Sequence, residues 1–284
     1  MVVKDNNYES KNMLIIGDKL YDLNYPMIMG VVNVTPDSFY KESRLEKSPD
    51  IISKVNEMVC SGAQIIDVGG ISTRPDADLL TSEEEMLRII PVIKTIRLAF
   101  PNLLISVDTF RADVAREAVI NGANIINDVY GGRYDEKMFD TVAALEVPYI
   151  LMHSRGDASN MKDLCQYDNI TEDVCFELSK SLEKLRSKGV KDVIVDPGFG
   201  FAKNVEQNYE LFQNLSLLKI LDCPILVGVS RKSMIYKLLD STPQEALNGT
   251  SVLNTIGLMK EASILRVHDV KEAYEVMQIT SIFK

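Results

Sequence analysis

The chain is poor in the residues that build familiar metal centres and covalent catalysts. Its 284 residues include four cysteines and two histidines. Cys60, Cys165, Cys175 and Cys223 form no C-x-x-C pair, and neither histidine lies at zinc-ligand spacing from them. That excludes a zinc knuckle and favours reduced thiols in a cytoplasmic protein. No Ser/His/Asp or Cys/His arrangement is present, which argues against a covalent enzyme intermediate. No Lys/Arg-rich stripe occurs and the formal net charge is −10, so nucleic acid is excluded as a partner. No apolar run reaches the length of a membrane span, and Met1–Leu20 lacks the apolar stretch of a secretory leader, so no membrane association is expected. No G-x-G-x-x-G follows the first apolar run, which weakens an open doubly wound sheet as the architecture.

What the chain does have is a repeating alternation. Short apolar runs rich in Val and Ile occur at Met27–Val34, Gln64–Gly69, Leu104–Asp108, Asn124–Val129, Pro148–His153, Asp192–Asp196, Pro224–Ser230 and Ile264–His268. Runs of this kind read as buried parallel strands. Amphipathic stretches separate them. Ile51–Cys60 ends at Ser61–Gly62, and Ala112–Ile120 ends at Asn121–Gly122. Ser82–Phe100 opens with Ser82 and Glu85 as an expected capping box, and Asn169–Lys188 stops at Gly189. Eight alternations predict an α/β fold, a (β/α)₈ TIM barrel over residues 27–284. A hydrophobic content of 46% is enough to fill its core. Residues 1–26 form a short extension, in which Leu14–Ile16 and Leu20–Leu23 suggest a small hairpin. No linker or low-complexity segment divides the chain, so one domain is expected.

The C-terminal ends of these runs collect polar residues. The first ends at Asn33, followed by Thr35, Pro36 and Asp37, and the second at Gly69–Gly70, followed by Ser72–Thr73–Arg74–Pro75. The remaining six end at Asp108, Asn127–Asp128, His153, Asp196, Ser230–Ser233 and Arg266–Asp269. Each has an ordinary reading alone. Asp108 and Asn127 can cap helices, the two histidines can be structural, and Asp196 before Pro197–Gly198 can be a turn residue. Together they occupy the face on which barrel enzymes place their chemistry.

The residue types divide by charge. Asp108, Asn127 and Asp196 can accept paired hydrogen bonds from an N–C–NH₂ edge such as a pterin or guanine presents. Arg74, Arg231, Lys232 and Arg266, with His268, suit phosphate or diphosphate oxygens. Asn33 offers a hard oxygen for Mg²⁺, which needs few protein ligands when phosphate supplies the others. The segments Thr35–Phe39 and Ser72–Pro75 are candidate loops that close over a bound diphosphate.

Taken in order, the segments MGVVNVTPDSF (Met29–Phe39), DVGGISTRP (Asp67–Pro75), SVDT (Ser106–Thr109) and NDV (Asn127–Val129) resemble the successive signatures of the dihydropteroate synthase family. LMHSRG (Leu151–Gly156), DPGFGFAK (Asp196–Lys203), GVSRKS (Gly228–Ser233) and RVHDV (Arg266–Val270) continue the resemblance, which covers residues 13 to 280. It implies a folate-pathway transferase that joins 6-hydroxymethyl-7,8-dihydropterin diphosphate to p-aminobenzoate, and a target of sulfonamides. It further implies that Asp108, Asn127, Asp196 and Lys232 hold the pterin, and that Thr73, Arg266 and His268 hold the diphosphate. Asn33 is implied to bind Mg²⁺, and Phe39, Pro75, Phe201 and Ser233 to shape the p-aminobenzoate slot. Asp37 and Arg74 join Asp108 and Lys232 as the residues implied to act in the reaction, and a homodimer is implied. The chain departs from the family pattern at Ile71, Asp76, Ser154 and Ala202. A pterin-dependent methyltransferase and a non-catalytic pterin-binding paralogue remain alternatives.

Overall fold

The computed structural model describes residues 12–34, 48–70, 80–157, 160, 161 and 163–283. Eight parallel strands form the barrel wall: β3 (Met27–Asn33), β4 (Ile65–Gly69), β5 (Leu104–Asp108), β6 (Ile125–Asp128), β7 (Tyr149–Met152), β8 (Val193–Asp196), β9 (Leu226–Val227) and β10 (Ile264–Val267). They pair in chain order from β3 to β8, and β10 lies between β3 and β9. A single parallel bridge, Val195 to Ile225, joins β8 to the segment entering β9 and closes the ring. The seventh run, expected over Pro224–Ser230, forms only the two ladder residues of β9. Past Val227 the backbone leaves the ladder, and Val229 O accepts from Lys232 N in a turn.

Alternation along each strand sorts the side chains. Ile28, Ile66, Ile105 and Ile126 face outward onto the helices, in one large apolar cluster with Val114, Val174 and Leu211. Met29, Ile65, Leu104, Ile125, Ile150, Ile194, Leu226 and Ile264 face inward and fill the lower barrel. Two residues further along most of these strands the inward positions turn polar, at Asp67, Ser106, Asn127, Asp196 and Arg266. The barrel is therefore oily below and ionic above.

Below the barrel lies an antiparallel hairpin, β1 (Met13–Ile16) and β2 (Lys19–Asp22). Its buried Leu14 and Ile16, with Leu23, join the inward cluster and plug the N-terminal end. The side chain of Asp192, at the foot of β8, accepts from Ile15 N at 3.2 Å.

The helices are α1 (Ser48–Cys60), α2 (Ser82–Ala99), α3 (Ala112–Ile120), α4 (Met138–Leu145), α5 (Ile170–Ser187), α6 (Val205–Gln213), α7 (Ser233–Leu238), α8 (Leu247–Met259) and α9 (Val270–Thr280). The capping box of α2 lies one residue earlier than Ser82 and Glu85. Thr81 Oγ1 accepts from Glu84 N, and Glu84 Oε2 accepts from Thr81 N. The shift has a physical cause: Glu85 is fully buried against Arg111, while Ser82 Oγ donates to Asp113. Among the described residues no helix is long and apolar enough to cross a membrane.

Candidate active site at the barrel mouth

Register gathers the site. Asn33, Gly69, Asp108 and Asn127 are consecutive partners across β3, β4, β5 and β6. Asn33 is exposed at the mouth, at the end of a strand whose other six residues are buried. Gly69 keeps the row open, because a Cβ there would lie 3.3 Å from Asp108 Cβ. On the opposite wall Asp196 ends β8 with 5% of its surface exposed, and its Oδ1 accepts from Gly198 N at 2.7 Å.

Arg266 enters from β10 and bridges two carboxylates. Its Nε donates to Asp67 Oδ2 and its Nη2 to Asp108 Oδ2, both at 2.7 Å. Asn127 Nδ2 donates to the same Asp67 oxygen at 3.0 Å. Asp67 is fully buried, and its Oδ1 has no hydrogen-bond partner among the described residues. A buried carboxylate oxygen without a donor is costly, so this one marks a position where a ligand or water completes the site. The sequence reading gave Asp67 no role. The available signal was an acidic residue at an inward position of an otherwise apolar strand, IIDVG.

Burial controls the titration of these groups. It pushes the Asp108 carboxyl up to about 7, opposed by Arg266 and reinforced by Asp67. Asp196 is raised by burial, with the Lys232 charge opposing. Burial lowers the Lys232 ammonium to about 8 against the pull of Asp196. Lys232 Nζ donates to Phe199 O at 2.6 Å and lies 4.8 Å from the centre of the Phe201 ring. Phe201 packs against an apolar shelf of Phe110, Val129, Tyr130 and Met152, which the sequence reading also left out. Ser233 begins α7 one residue past Lys232, half-buried.

His268 sits exposed on the rim, and its Nδ1 lies 3.1 Å from Ser230 Oγ. The protein around its ring and the nearby Arg266 hold it below its ordinary value, so the imidazole is neutral at pH 7 without an anion. Arg231 does not join the cationic cluster expected of it. Its Nε and Nη2 grip Asp269 at 2.8 Å each, and its Nη1 donates to the carbonyls of Pro243 and Gln244. Its backbone is left-handed, with a φ of 54°. Asp128 is also diverted. It faces the helices, accepting from Tyr130 N, Gly132 N and the Tyr149 hydroxyl.

His153 is 2% exposed and belongs to a chain of hydrogen-bonded groups behind Asp196. Its Nε2 lies 3.1 Å from Glu177 Oε2 and its Nδ1 3.0 Å from Lys203 Nζ. Burial, then the Lys203 charge, lowers its pKa to about 3, so it is neutral. Burial opposes ionisation of Glu177, but hydrogen bonds from His153 and Arg155 hold it at about 2. Lys203 is lowered to about 7 by burial, with Asp196 attracting its charge. Asp37, Phe39, Thr73, Arg74 and Pro75, with Ile71 and Asp76, lie outside the described residues.

Two carboxylates and an amide facing one another across the mouth of the barrel, beside two half-buried cations, suit a planar polar heterocycle joined to an anion. The profile of the pterin binding enzymes matches residues 29–268. The chain belongs to the pterin-binding enzyme family. It is similar to the dihydropteroate synthase of Clostridium beijerinckii, with 41% identity over 270 residues, 94% of this chain and 95% of that protein. It is 40% identical over 261 residues to the folic acid synthesis protein fol1 of Pneumocystis carinii; the match covers 89% of this chain but only 35% of that longer protein. Its structure is similar to that of the Yersinia pestis dihydropteroate synthase solved with a sulfonamide drug. The TM-score is 0.89 at 36% identity, over 95% of this chain and 98% of that one. The pterin-binding family match, over residues 29–268, takes in every described site residue named above.

Proposed function

We infer that the chain is a transferase of folate biosynthesis. It condenses 6-hydroxymethyl-7,8-dihydropterin diphosphate with p-aminobenzoate to give 7,8-dihydropteroate and diphosphate. The observation that carries this reading is the meeting of Asp108, Asn127 and Asp196 with Lys232 and Arg266 in one barrel mouth. Asp196 and Asn127 offer acceptors and an amide to the amino-pyrimidine edge of the pterin. Asp108, with a pKa near 7, can share or release a proton as the ring's charge changes. Lys232 donates to the ring from the side of Phe199.

The leaving diphosphate is met by Arg266 and His268. Arg266 reaches it already anchored by Asp67, so little rotamer freedom is lost on binding. His268, neutral beforehand, gains a proton as the anion approaches. Phe201 and Ser233 flank the p-aminobenzoate slot. Thr73 and Arg74 complete the diphosphate seat, Phe39 and Pro75 complete the slot, and Asp37 closes over them; these roles rest on the family resemblance. The reaction needs no enzyme nucleophile: the aniline nitrogen attacks the exocyclic carbon as the carbon–oxygen bond to diphosphate breaks, and the nitrogen then releases one proton to water or to the departing diphosphate.

Mg²⁺ fits the donor set only together with substrate. Asn33 supplies one neutral oxygen at the open end of β3, and the described residues hold no cluster of three metal-ligating side chains. Asn33 would hold a hard cation there, and its positive charge would help offset that of the leaving diphosphate. A homodimer in the cytoplasm is the expected working form.

The test is turnover with pterin diphosphate, Mg²⁺ and p-aminobenzoate. The wild-type chain is expected to form dihydropteroate. His268→Ala is expected to raise the KM for pterin diphosphate about tenfold, the loss of one charge-assisted contact, while the affinity for a diphosphate-free pterin stays unchanged. Absence of product, or equal losses for both ligands, contradicts the reading.

A further inference from the structure

Lys203 lies in the segment that follows β8 and is 8% exposed. Its Nζ has three acceptors, each at 3.0 Å: Gly198 O, Phe201 O and His153 Nδ1. An ammonium has three N–H groups, so all three contacts are made at once only by the charged amine. The same geometry fixes the histidine. Because Nδ1 accepts, the ring proton sits on Nε2 and is donated to Glu177 Oε2. Arg155 Nε in turn donates to Glu177 Oε1 at 2.8 Å. The result is a line of hydrogen-bonded groups that runs from Arg155, after β7, through Glu177 on α5 to His153 and Lys203; the first two are half-buried and the last two buried.

The loop that Lys203 holds carries site groups on its other side. Between Asp196 and Lys203 the φ angles of Gly198, Gly200 and Ala202 are +69°, +82° and +46°. This alternation turns the carbonyls of Gly198 and Phe201 toward Lys203, and that of Phe199 toward Lys232. Gly198 packs so closely that a Cβ would meet His153 O at 1.8 Å. Tyr167 OH donates to Ala202 O at 2.9 Å. The Phe201 ring thus projects from a loop whose backbone is pinned by one buried cation.

We propose that Lys203, aimed by His153 and Glu177, is a positioning residue that sets the Phe201 ring and the Phe199 carbonyl, and through them the p-aminobenzoate slot and the reach of Lys232. The proposal deepens the transferase reading and rests on it. Asp196, Lys232 and Arg133 are the other charged groups that act on Lys203, and none of them forms a hydrogen bond to its amine.

Two measurements test it. The first uses wild-type protein and needs no turnover. With only two histidines in the chain, ¹⁵N-histidine NMR at pH 6 resolves each ring. His153 is expected to be neutral, protonated on Nε2 and unprotonated on Nδ1. A proton on Nδ1, or a charged ring, overturns the relay. The second compares turnover of the wild type and Lys203→Met. Once the wild type is active, the variant is expected to raise the KM for p-aminobenzoate at least tenfold, with a smaller fall in kcat. A lowered Tm with unchanged KM in the folded variant makes Lys203 a structural residue only and overturns the proposal. An inactive wild type with the expected His153 signature defeats the transferase reading, and with it the role in the slot, while leaving the relay itself standing.

Discussion

Asp108 shares one guanidinium with Asp67 inside a largely buried pocket, and that arrangement sets a cost on the empty site. Its folded-state pKa of about 7 lies above the roughly 3.9 of an unfolded chain. The folded protein therefore keeps a proton that the unfolded chain releases. Its contribution to stability is present at acidic pH and falls as pH rises from about 4 to 7. Asp108→Asn is expected to raise Tm at pH 8 by a few degrees, roughly 1 kcal/mol, and to change it little at pH 4. A thermal melt series checks it, and an equal shift at both pH values speaks against the buried charge. Ala202 holds a φ of +46° where Gly is unstrained. Relief of about 1–2 kcal/mol is partly offset by the extra freedom of unfolded glycine, so Ala202→Gly is expected to stabilise by about 0.5 kcal/mol in chemical denaturation. Asp108, Asn127, Asp196, Lys232, Arg266 and His268 stood out in the sequence because each lies at or just past the C-terminal end of an apolar run, and Ala202 stood out as a departure from the family pattern. Asp67 was not, since it lies inside a strand and only the barrel's curvature brings it to Arg266. Arg231 misled, because a sequence shows a cation but not the Asp269 carboxylate that turns it away.

At the scale of elements, strand ends were readable to within a residue or two where the apolar run was continuous. The capping of α2 was not, because TSEEE offers two overlapping boxes and the choice falls to tertiary contacts. Glu85 is drawn inward by Arg111, which leaves Thr81 and Glu84 to cap the helix. Thr81→Ala is therefore expected to destabilise the fold by about 1 kcal/mol, with Ser82→Ala costing no more through the capping box itself. The hairpin gives a second check. Leu14 is 1% exposed at the base of the barrel, against the inward layer formed by Ile65, Leu104 and Ile125. Leu14→Ala is expected to cost about 2–5 kcal/mol in stability while leaving KM values intact, because the plug and the mouth are at opposite ends. A changed KM would mean that the inward layer transmits strain to the site.

For the molecule as a whole, the eightfold alternation of buried runs and amphipathic stretches was enough to give the barrel and the end at which its polar residues gather. What it could not give was which inward groups meet across the lumen, since that depends on register among strands far apart in sequence. The charge of the chain fits this picture. A protein of formal charge −10 that binds an anion must concentrate cations, and Arg266 and Lys232 stand inside a ring of carboxylates that keeps them charged yet held. The central claim is that this ring reads a pterin. Calorimetry of a diphosphate-free pterin analogue on the wild type and Asp196→Asn tests it most directly. Loss of a charged acceptor worth about 1.5–3 kcal/mol predicts an affinity weaker by roughly 10- to 150-fold in a variant that remains folded. An unchanged affinity would contradict the account.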